Sequence, residues 1–299
     1  MNKENLMLTL KRSLRFLPDK AYIRLYYRLR IGKKLNIKNP TTLNEKLQWL
    51  KFNYRLPIQS IVSDKLLVRD YVSKNIGEEY LIPILGSWKS FNEINFDELP
   101  NQFVLKCNHD SGGLVICKDK KYFNYKLAKK KIEKSLKSNF YFVGREHQYR
   151  NIIPTIICEK FISDNGLVPM DYKIYCFNGT PDVILVCKDR FRNNSHKASY
   201  LYFDQNWNFL PLNKGDDKIT EVNIPKPKNL EKMLEIAKKL SKDFIFSRID
   251  LYNINGKIYF GEITLSPNSG FDADITYETD LAFGKKLEIP YWDLINRKI

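Results

Sequence analysis

The stretch that decides the fold is Ser247–Thr264, with the sequence SRIDLYNINGKIYFGEIT. Two strand-like runs flank an Asn-Gly turn, a pattern typical of a β-hairpin. Successive residues of a strand face opposite sides, so Arg248 and Asp250 share one face of the first strand. Glu262 and Thr264 likewise share one face of the second strand. The stretch therefore predicts two paired strands, each with polar side chains on one face.

The length of the turn decides whether the two carboxylates meet. A two-residue turn, Asn255-Gly256, would place Asp250 and Glu262 on opposite faces of the hairpin. A three-residue loop over residues 254–256 places the glycine in the left-handed conformation that such loops favour, and brings the acids to one side. We predict the three-residue loop. Converging carboxylates would suit Mg²⁺, and a surface hairpin with a cross-strand Arg–Glu pair is the alternative that the hairpin alone leaves open.

Two earlier segments carry polar groups suited to a nucleotide. Lys106 lies in the apolar strand Phe103–Asn108, where a lysine needs a partner, and residues 111–113, Ser-Gly-Gly, follow it. Glycines there would let backbone N–H groups approach a phosphate, although a plain turn is the simpler interpretation. Residues 159–162, Glu-Lys-Phe-Ile, end an apolar strand and could offer backbone groups to a planar base. A core strand with two outward charges is the alternative.

Composition limits the class of protein. The chain has 299 residues, 43% apolar and 28% charged, the balance of a globular protein of about two domains. No apolar run approaches the roughly 18 residues of a membrane-spanning helix, and the N-terminus lacks a signal-peptide pattern, so we expect a cytoplasmic location. Five cysteines without a C-x-x-C pair indicate reduced, buried thiols, and three scattered histidines argue against a His-rich metal site.

Positive charge is concentrated at the N-terminus. The net charge is +16, and residues 1–51 contribute +10 of it, with 13 Lys and Arg against 3 Asp and Glu. Such a field attracts polyanions, anionic lipid or anionic substrates. Apolar residues recur there at helical spacing in two runs separated by Pro18-Asp19: Leu6, Leu10, Leu14 and Leu17, and then Tyr22, Leu25, Tyr26 and Leu29. We favour helices that pack by this stripe. Docking on an anionic membrane or a lipid-linked substrate is the alternative, and no nucleic-acid partner is expected.

Mixed strands and helices without strict βαβ alternation favour an α+β protein. Taken in order, the segments resemble the TupA-like branch of the ATP-grasp superfamily, associated with teichuronopeptide and capsule-type polysaccharide genes. The resemblance extends from Leu43 to Phe271. The residues that carry it are Leu43–Trp49, Ser63–Lys65, Phe103–Asn108, Ser111–Gly113, Glu159–Ile162, Asp171–Lys173, Arg248–Asp250, and Phe260–Thr264 with Pro267.

The resemblance implies an α+β, ATP-grasp fold in which two subdomains grip ATP, preceded by a basic helical N-terminal region. That region would comprise residues 1–60, and the ATP-grasp catalytic unit residues 61–299. Within the unit, residues 101–165 would form the smaller nucleotide-binding subdomain and residues 166–299 the metal-binding subdomain.

The resemblance also implies roles for single residues. The nucleotide would be contacted by Lys65, Lys106, Ser111, Gly112, Gly113, and an adenine hinge of Glu159, Lys160, Phe161 and Ile162. Mg²⁺ would be held by Asp250, Glu262 and Thr264. The threonine stands where the superfamily usually has asparagine, which puts a second Mg²⁺ in doubt. The substrate or the transferred phosphoryl group would be contacted by Arg248, Lys173 and Arg190.

The activity implied is an ATP- and Mg²⁺-dependent carboxylate–amine ligase that forms an amide through an acyl phosphate. The implied setting is modification of a cell-surface polysaccharide, for example a uronic acid joined to an amino acid or amine. The main alternative is a glycosyltransferase that would use Asp272-Ala273-Asp274 to hold a metal and a nucleotide diphosphate. A kinase that stops after phosphate transfer is a further alternative.

Overall fold

The structure, a computed structural model, describes residues 14–164, 166–188 and 198–290. The predicted substrate residue Arg190 and the leucines Leu6 and Leu10 lie outside these ranges. The α-helices described are α1 Asp19–Ile31, α2 Leu43–Asn53, α3 Pro57–Ser63, α4 Val68–Ile76, α5 Tyr125–Leu136, α6 Tyr141–Gly144, α7 Leu230–Ser241 and α8 Tyr277–Lys286.

The strands form two antiparallel sheets, of four and six strands, which agrees with the α+β prediction. The small sheet, in the order β1-β4-β2-β3, contains β1 Ile84–Trp88, β2 Phe103–Cys107, β3 Leu114–Cys117 and β4 Ile156–Lys160. The large sheet, in the order β10-β9-β5-β6-β7-β8, contains β5 Asp171–Phe177, β6 Thr180–Lys188, β7 Ser199–Phe203, β8 Phe209–Leu210, β9 Phe246–Ile254 and β10 Lys257–Thr264.

Fully buried and partly buried residues alternate along strand β2 of the small sheet. Phe103, Leu105 and Cys107 are fully buried in a core that helix α5 helps to form. The intervening Lys106 is only partly buried, because successive side chains of a strand point to opposite faces. The core of the small sheet therefore turns this lysine toward the other face.

The large sheet is covered differently on its two faces. Tyr172, Ile174 and Cys176 of β5 lie in the core beneath the amphipathic helix α7. On the opposite face, Tyr175 and Phe177 pack in a core that includes residues of α2 and α8. Asp171 and Lys173 follow the same alternation, so they lie on this second face of β5.

Helix α1 packs by a narrower stripe than its spacing predicts. Tyr22, Ile23, Tyr26 and Tyr27 are buried in a cluster with Phe271. The assignment of Leu25 and Leu29 to the packed stripe is wrong, because their side chains are 40% and 53% exposed. The tyrosines occupy the contact surface instead, and the leucines of α1 point away from it.

Helix α2 begins at a capping box, and residues 42–45 have the Thr-x-x-Glu pattern typical of one. The Thr42 side chain accepts a hydrogen bond from the Glu45 N–H at 3.3 Å, and Glu45 accepts from the Thr42 N–H at 3.3 Å. Glu45 also accepts from the backbone N–H groups of Thr41 at 2.9 Å and Asn36 at 3.1 Å. A single carboxylate thus fixes the helix terminus and the segment leading into it.

The apolar run at residues 81–85 belongs to a strand only from Ile84 onward, and helix α4 begins at Val68. All five cysteines are buried free thiols, as their number and spacing predict. In the described ranges, no helix combines the length and the apolar composition needed to cross a bilayer. The boundary at residue 60 stays a prediction.

Replacing Glu45 by alanine tests the capping box. Loss of the carboxylate leaves several N–H groups without their acceptor, and we expect a fall in the free energy of unfolding of about 1–3 kcal/mol, measured by urea titration. Glu133→Ala is the control, because Glu133 forms only a partly exposed ion pair with Lys129 at 3.7 Å. Its effect should stay within about 0.5 kcal/mol, and equal effects of the two changes would contradict the role of Glu45.

Candidate active site

The hairpin closes with a two-residue turn, so the predicted three-residue loop is wrong. Ile254 pairs directly with Lys257. Asn255 and Gly256 have φ values of 50° and 84°, and both are therefore in the left-handed region. An Asn-Gly pair adopts two successive left-handed conformations at low cost, and its twist matches that of the flanking strands.

A β-bulge at Gly261 nevertheless brings the carboxylates together. Phe260 pairs with Leu251, but Glu262 pairs with Asp250, so one extra residue is inserted in β10. The insertion reverses the facing of the residues that follow it. A Cβ atom on Gly261 would lie only 3.0 Å from the Asp250 carbonyl oxygen, so glycine lets the strands approach at this point. The bulge therefore brings Asp250 and Glu262 to one face, which the three-residue loop was expected to do.

Arg248 connects the polar side chains of the hairpin. Its Nε donates to Asp250 Oδ1 at 2.7 Å, and its Nη2 donates to Asp250 Oδ2 at 2.8 Å. The same Nη2 lies 3.3 Å from Glu262 Oε1 and 3.2 Å from Thr264 Oγ1. Such a bidentate pair is strong and geometrically specific, so the guanidinium fixes the positions of both acids.

Lys173 approaches Asp250 from the neighbouring strand. Lys173 and Asp250 are directly paired residues of β5 and β9, and the lysine Nζ donates to Asp250 Oδ2. Nζ also lies 3.8 Å from Asp171 Oδ2. Both Lys173 and Asp250 are buried. A buried charge is tolerated only when it is paired, so Asp250 is neutralised jointly by Arg248 and Lys173.

Glu262 is the more open of the two acids. Its side chain is 42% exposed because it projects into the cavity described below. Burial of the surrounding region opposes its ionisation, but the nearby cations Lys173, Lys65 and Arg248 prevail and lower the pKa of Glu262 to about 2. The carboxylate is therefore ionised throughout the physiological range.

These groups lie at one cavity of about 1050 Å³, bounded by residues of both sheets. It is lined by residues predicted for the nucleotide, the metal and the substrate. Those residues are Lys65, Lys106, Ser111, Gly112, Gly113, Lys173, Arg248, Asp250, Glu262 and Thr264. Segments separated by up to two hundred positions in the chain thus meet at one site.

The segment expected to bind adenine adjoins the cavity through Glu159 but is not part of the cavity wall. Glu159, Lys160, Phe161 and Ile162 are not among the residues that line the cavity in the described ranges. Glu159 instead forms an ion pair with Lys106 at 2.7 Å and is nearly buried. Glu159 is thus the partner that a lysine in an apolar strand needs. A role of residues 159–162 in binding adenine stays a prediction.

Polar contacts fix the position of Asp110, the residue directly before the Ser-Gly-Gly loop. Lys65 Nζ donates to the Asp110 carbonyl oxygen at 2.5 Å, and the Ser135 hydroxyl donates to the Asp110 carboxylate. A Cβ atom on Gly113 would lie 2.1 Å from the Ser135 hydroxyl oxygen, so any other residue there would displace the contact between Ser135 and Asp110. Burial lowers the pKa of Lys65, an effect that the nearby Glu262 opposes.

Sequence reasoning missed one end of the cavity. Its wall includes Tyr26 and Arg30 of α1, together with Tyr175, Tyr202 and Asp272. The hydroxyls of Tyr175 and Tyr202 are 3.3 Å apart, and burial raises the pKa of Asp272. Nothing in the spacing of the tyrosines marks them as cavity residues. Asp272 and Asp274, the two acids of the D-x-D motif, both line this same cavity.

The donor set fits Mg²⁺ when a nucleotide completes it. Asp250, Glu262 and Thr264 present two carboxylates and a hydroxyl close together, and Glu262 is ionised. In the part of the chain that the structure describes, no group of three or more Asp, Glu, His or Cys is placed to hold a metal. Mg²⁺ commonly takes one or two carboxylates and completes its shell with phosphate oxygens and water.

A sequence model of the TupA-like ATP-grasp family matches residues 45–288 of the chain. The chain belongs to this family. Its fold is accordingly the ATP-grasp fold, as the ordered motifs predicted. The matched range begins within α2, so it includes most of the helix that packs against the large sheet.

The TupA-like chain also resembles several solved structures. A D-alanine–D-alanine ligase from Bacillus anthracis has a TM-score of 0.41 at 18% identity, covering 75% of this chain and 63% of that one. An L-amino acid ligase from Bacillus licheniformis has a TM-score of 0.47 at 15% identity, with coverages of 85% and 57%.

A D-Ala:D-Ser ligase from Enterococcus faecalis has a TM-score of 0.44 at 15% identity, with coverages of 76% and 61%. The TupA-like chain spans less than two thirds of each of these three proteins. A search among curated proteins finds no match to its sequence.

The cationic surroundings of Glu262 predict a pH-dependent stability. The folded-state pKa of about 2 lies below the unfolded value of about 4.3, so ionised Glu262 stabilises the fold above that unfolded value. We expect Glu262→Gln to lower the melting temperature at pH 7, because Lys65, Lys173 and Arg248 lose a counter-charge. The difference between parent and variant should disappear as the pH falls from about 5 to about 2.

Glu235→Gln provides the matched control for this measurement. Hydrogen bonds from Lys232 and Lys239 lower the pKa of Glu235 to about 2 as well, but that triad lies on the exposed face of α7. Water screens exposed pairs, so this change should alter the melting temperature little. A larger effect for Glu235 than for Glu262 would refute the electrostatic role of Glu262.

Proposed function

We propose that the protein is an ATP- and Mg²⁺-dependent carboxylate–amine ligase that releases ADP. The observation that carries the proposal is that Lys65, Lys106, Lys173 and Arg248 line the same cavity as the acids Asp250 and Glu262. A triphosphate and a metal ion need this combination of positive side chains and hard oxygen ligands. Membership of the ATP-grasp family supports the same conclusion.

The reaction would proceed in two balanced steps. A carboxylate oxygen of one substrate attacks the γ-phosphorus of ATP, and the bond to the β-phosphate oxygen breaks to release ADP. An amine then attacks the carbonyl carbon of the acyl phosphate, phosphate leaves, and the amine loses a proton. The chain's contribution to both steps is to hold the reactants together and to counter their negative charge.

The position of each residue at the cavity suggests which reactant it would contact. Lys106 and Lys65, from the small-sheet side, would bind phosphate oxygens, while residues 111–113 would lie over them. Arg248 would face the transferred phosphoryl group from the hairpin. Asp250 and Glu262 with Thr264 would hold Mg²⁺, which supplies charge neutralisation to the phosphates when it is bound.

Covalent catalysis by a thiol finds no support in the cavity wall. Cys107 borders the cavity, but its side chain is fully buried on the core face of β2, and burial raises the pKa of its thiol to about 11. A protonated thiol is a poor nucleophile. Direct transfer between bound reactants, as in the proposed ligase mechanism, needs no such group.

We propose a uronic-acid-containing saccharide as carboxylate substrate and an amino acid or other amine as the second substrate, at a cell-surface polysaccharide. This part rests on the motif resemblance, and the protein would act in the cytoplasm. The size of the cavity is compatible with two ligands, since its wall extends beyond the phosphate-facing cations to the Tyr175 and Tyr202 pair. The glycosyltransferase alternative has no comparable support, because the family assignment favours ATP chemistry.

Nucleotide binding can be tested at Lys106. We expect Lys106→Ala to weaken ATP binding by roughly 10- to 100-fold, because a charge-assisted contact contributes about 1.5–3 kcal/mol. Isothermal titration with a non-hydrolysable ATP analogue and Mg²⁺ measures the effect. Lys118→Ala, an exposed change just after β3, is the control and should leave the affinity unchanged. Equal affinities of parent and Lys106→Ala would contradict the phosphate role.

The reaction type can be tested without knowing the amine. Hydroxylamine traps an acyl phosphate as a hydroxamate, so candidate uronates can be incubated with ATP, Mg²⁺ and hydroxylamine. We expect hydroxamate and ADP in equal amounts with the parent, and neither with Glu262→Gln. Formation of a stable phosphoester instead would identify a kinase, and release of a nucleoside diphosphate from an added sugar nucleotide would identify a glycosyltransferase.

A further inference from the structure

The outward face of helix α1 has no partner in the described fold. Lys20, Arg24 and Arg28 are exposed and recur every four residues along the helix. Beside them runs a second stripe with the same spacing, made of Ala21, Leu25 and Leu29. The outward face thus combines a cationic stripe and an apolar stripe in parallel. We call this surface the α1 outer face.

The inward face of α1 holds the helix firmly in place. Tyr22 and Tyr26 are buried, and the Tyr22 hydroxyl donates to the Val143 carbonyl oxygen at 2.9 Å. Arg145 donates to the carbonyl oxygens of Arg15 at 2.9 Å and Leu17 at 3.3 Å, just before the helix. These contacts position α1 without any contribution from its outer face, so residues there are available for another purpose.

The outer face carries no compensating acid of its own. Residues 14–39 contain eight Lys and Arg and one acid, Asp19. Asp19 turns inward, where it accepts from the Tyr141 hydroxyl at 2.6 Å and pairs with Arg145 at 3.7 Å. Like charges spaced four residues apart repel each other on a helix. An external anionic surface would therefore reduce the repulsion among Lys20, Arg24 and Arg28.

The apolar stripe restricts which anionic surface fits. Leu25 is 40% exposed and Leu29 53% exposed, and Phe16, just before the helix, is 84% exposed. A nucleic acid backbone would satisfy the arginines but leave these side chains in water. A bilayer offers anionic headgroups beside acyl chains, so one surface can satisfy both stripes.

We propose that the α1 outer face docks on an anionic lipid bilayer. The helix would lie in the plane of the interface, with Leu25 and Leu29 inserted at the boundary of the acyl chains. Lys20, Arg24 and Arg28 bind the headgroup phosphates. This surface is independent of the proposed ligase chemistry, although α1 also contributes Tyr26 and Arg30 to the cavity wall. Docking therefore places one wall of the cavity next to the membrane.

The test is flotation of the full-length protein with vesicles of phosphatidylglycerol and phosphatidylcholine, compared with phosphatidylcholine alone. We expect binding only to the anionic vesicles. Arg24→Gln with Arg28→Gln should weaken it by roughly 30-fold, because each basic residue near such a surface contributes about 1 kcal/mol. Leu25→Gln with Leu29→Gln should weaken it by about 10-fold or more, since two exposed apolar side chains lose their insertion.

Helix α5 provides a matched control. Lys126 and Lys130 are also exposed and four residues apart, with the exposed Leu127 beside them, so Lys126→Gln with Lys130→Gln removes the same charge. We expect this variant to bind the vesicles within twofold of the parent. Melting temperatures and ATP affinity of all three variants should match the parent, which separates loss of docking from loss of folding or of nucleotide binding.

Three outcomes would overturn the proposal. The first is absence of binding to anionic vesicles at about 0.1 M salt, where electrostatic attraction still acts within a Debye length. The second is an equal loss in the α5 control, which would mean attraction by net charge alone. The third is full vesicle binding by the leucine variant together with tight binding of single-stranded RNA, which would assign the outer face to a nucleic acid.

Discussion

The Arg248 guanidinium is the contact on which the site depends. It binds Asp250 through two hydrogen bonds and reaches Glu262 and Thr264 from the same position. Without this cation and Lys173, two acids on one face of a hairpin would repel each other beside a buried sheet. With both cations present, Asp250 is held by two ion pairs and Glu262 stays ionised. Carboxylates fixed in this way would suit a metal–nucleotide complex.

The two sheets divide the site between them. The large sheet supplies the acids, Arg248 and Lys173, while the small sheet and its loop supply Lys106 and residues 111–113. Lys65, which precedes both sheets in the chain, donates to the loop at Asp110. The charges that would counter a triphosphate thus come from separate units of the fold. Each unit buries its own apolar face and leaves charged groups on the side facing the cavity.

The N-terminal helices α1 and α2 pack against the rest of the protein and also form part of its surface. Helix α2 shares a core with β5 and α8, and α1 packs on Phe271 and reaches the cavity with Tyr26 and Arg30. Regular spacing placed Leu25 and Leu29 in the packed stripe, but tyrosines occupy that contact instead. The spacing of apolar residues locates the apolar face of a helix, but it does not show which part of a wide face packs against a neighbouring element.

The sequence by itself determined the kinds of residue that share a face, because strand alternation and the capping box are local. Strand alternation alone places Arg248 and Asp250 on one face, and the Thr-x-x-Glu pattern at residues 42–45 marks the start of α2. Only the tertiary structure decided that Glu262 joins Asp250, since this depends on one inserted residue at Gly261 and on how closely two strands approach. The partner of Lys106 and the contribution of α1 to the cavity were likewise decided by contacts between distant segments. Such contacts leave no periodic signal in the chain.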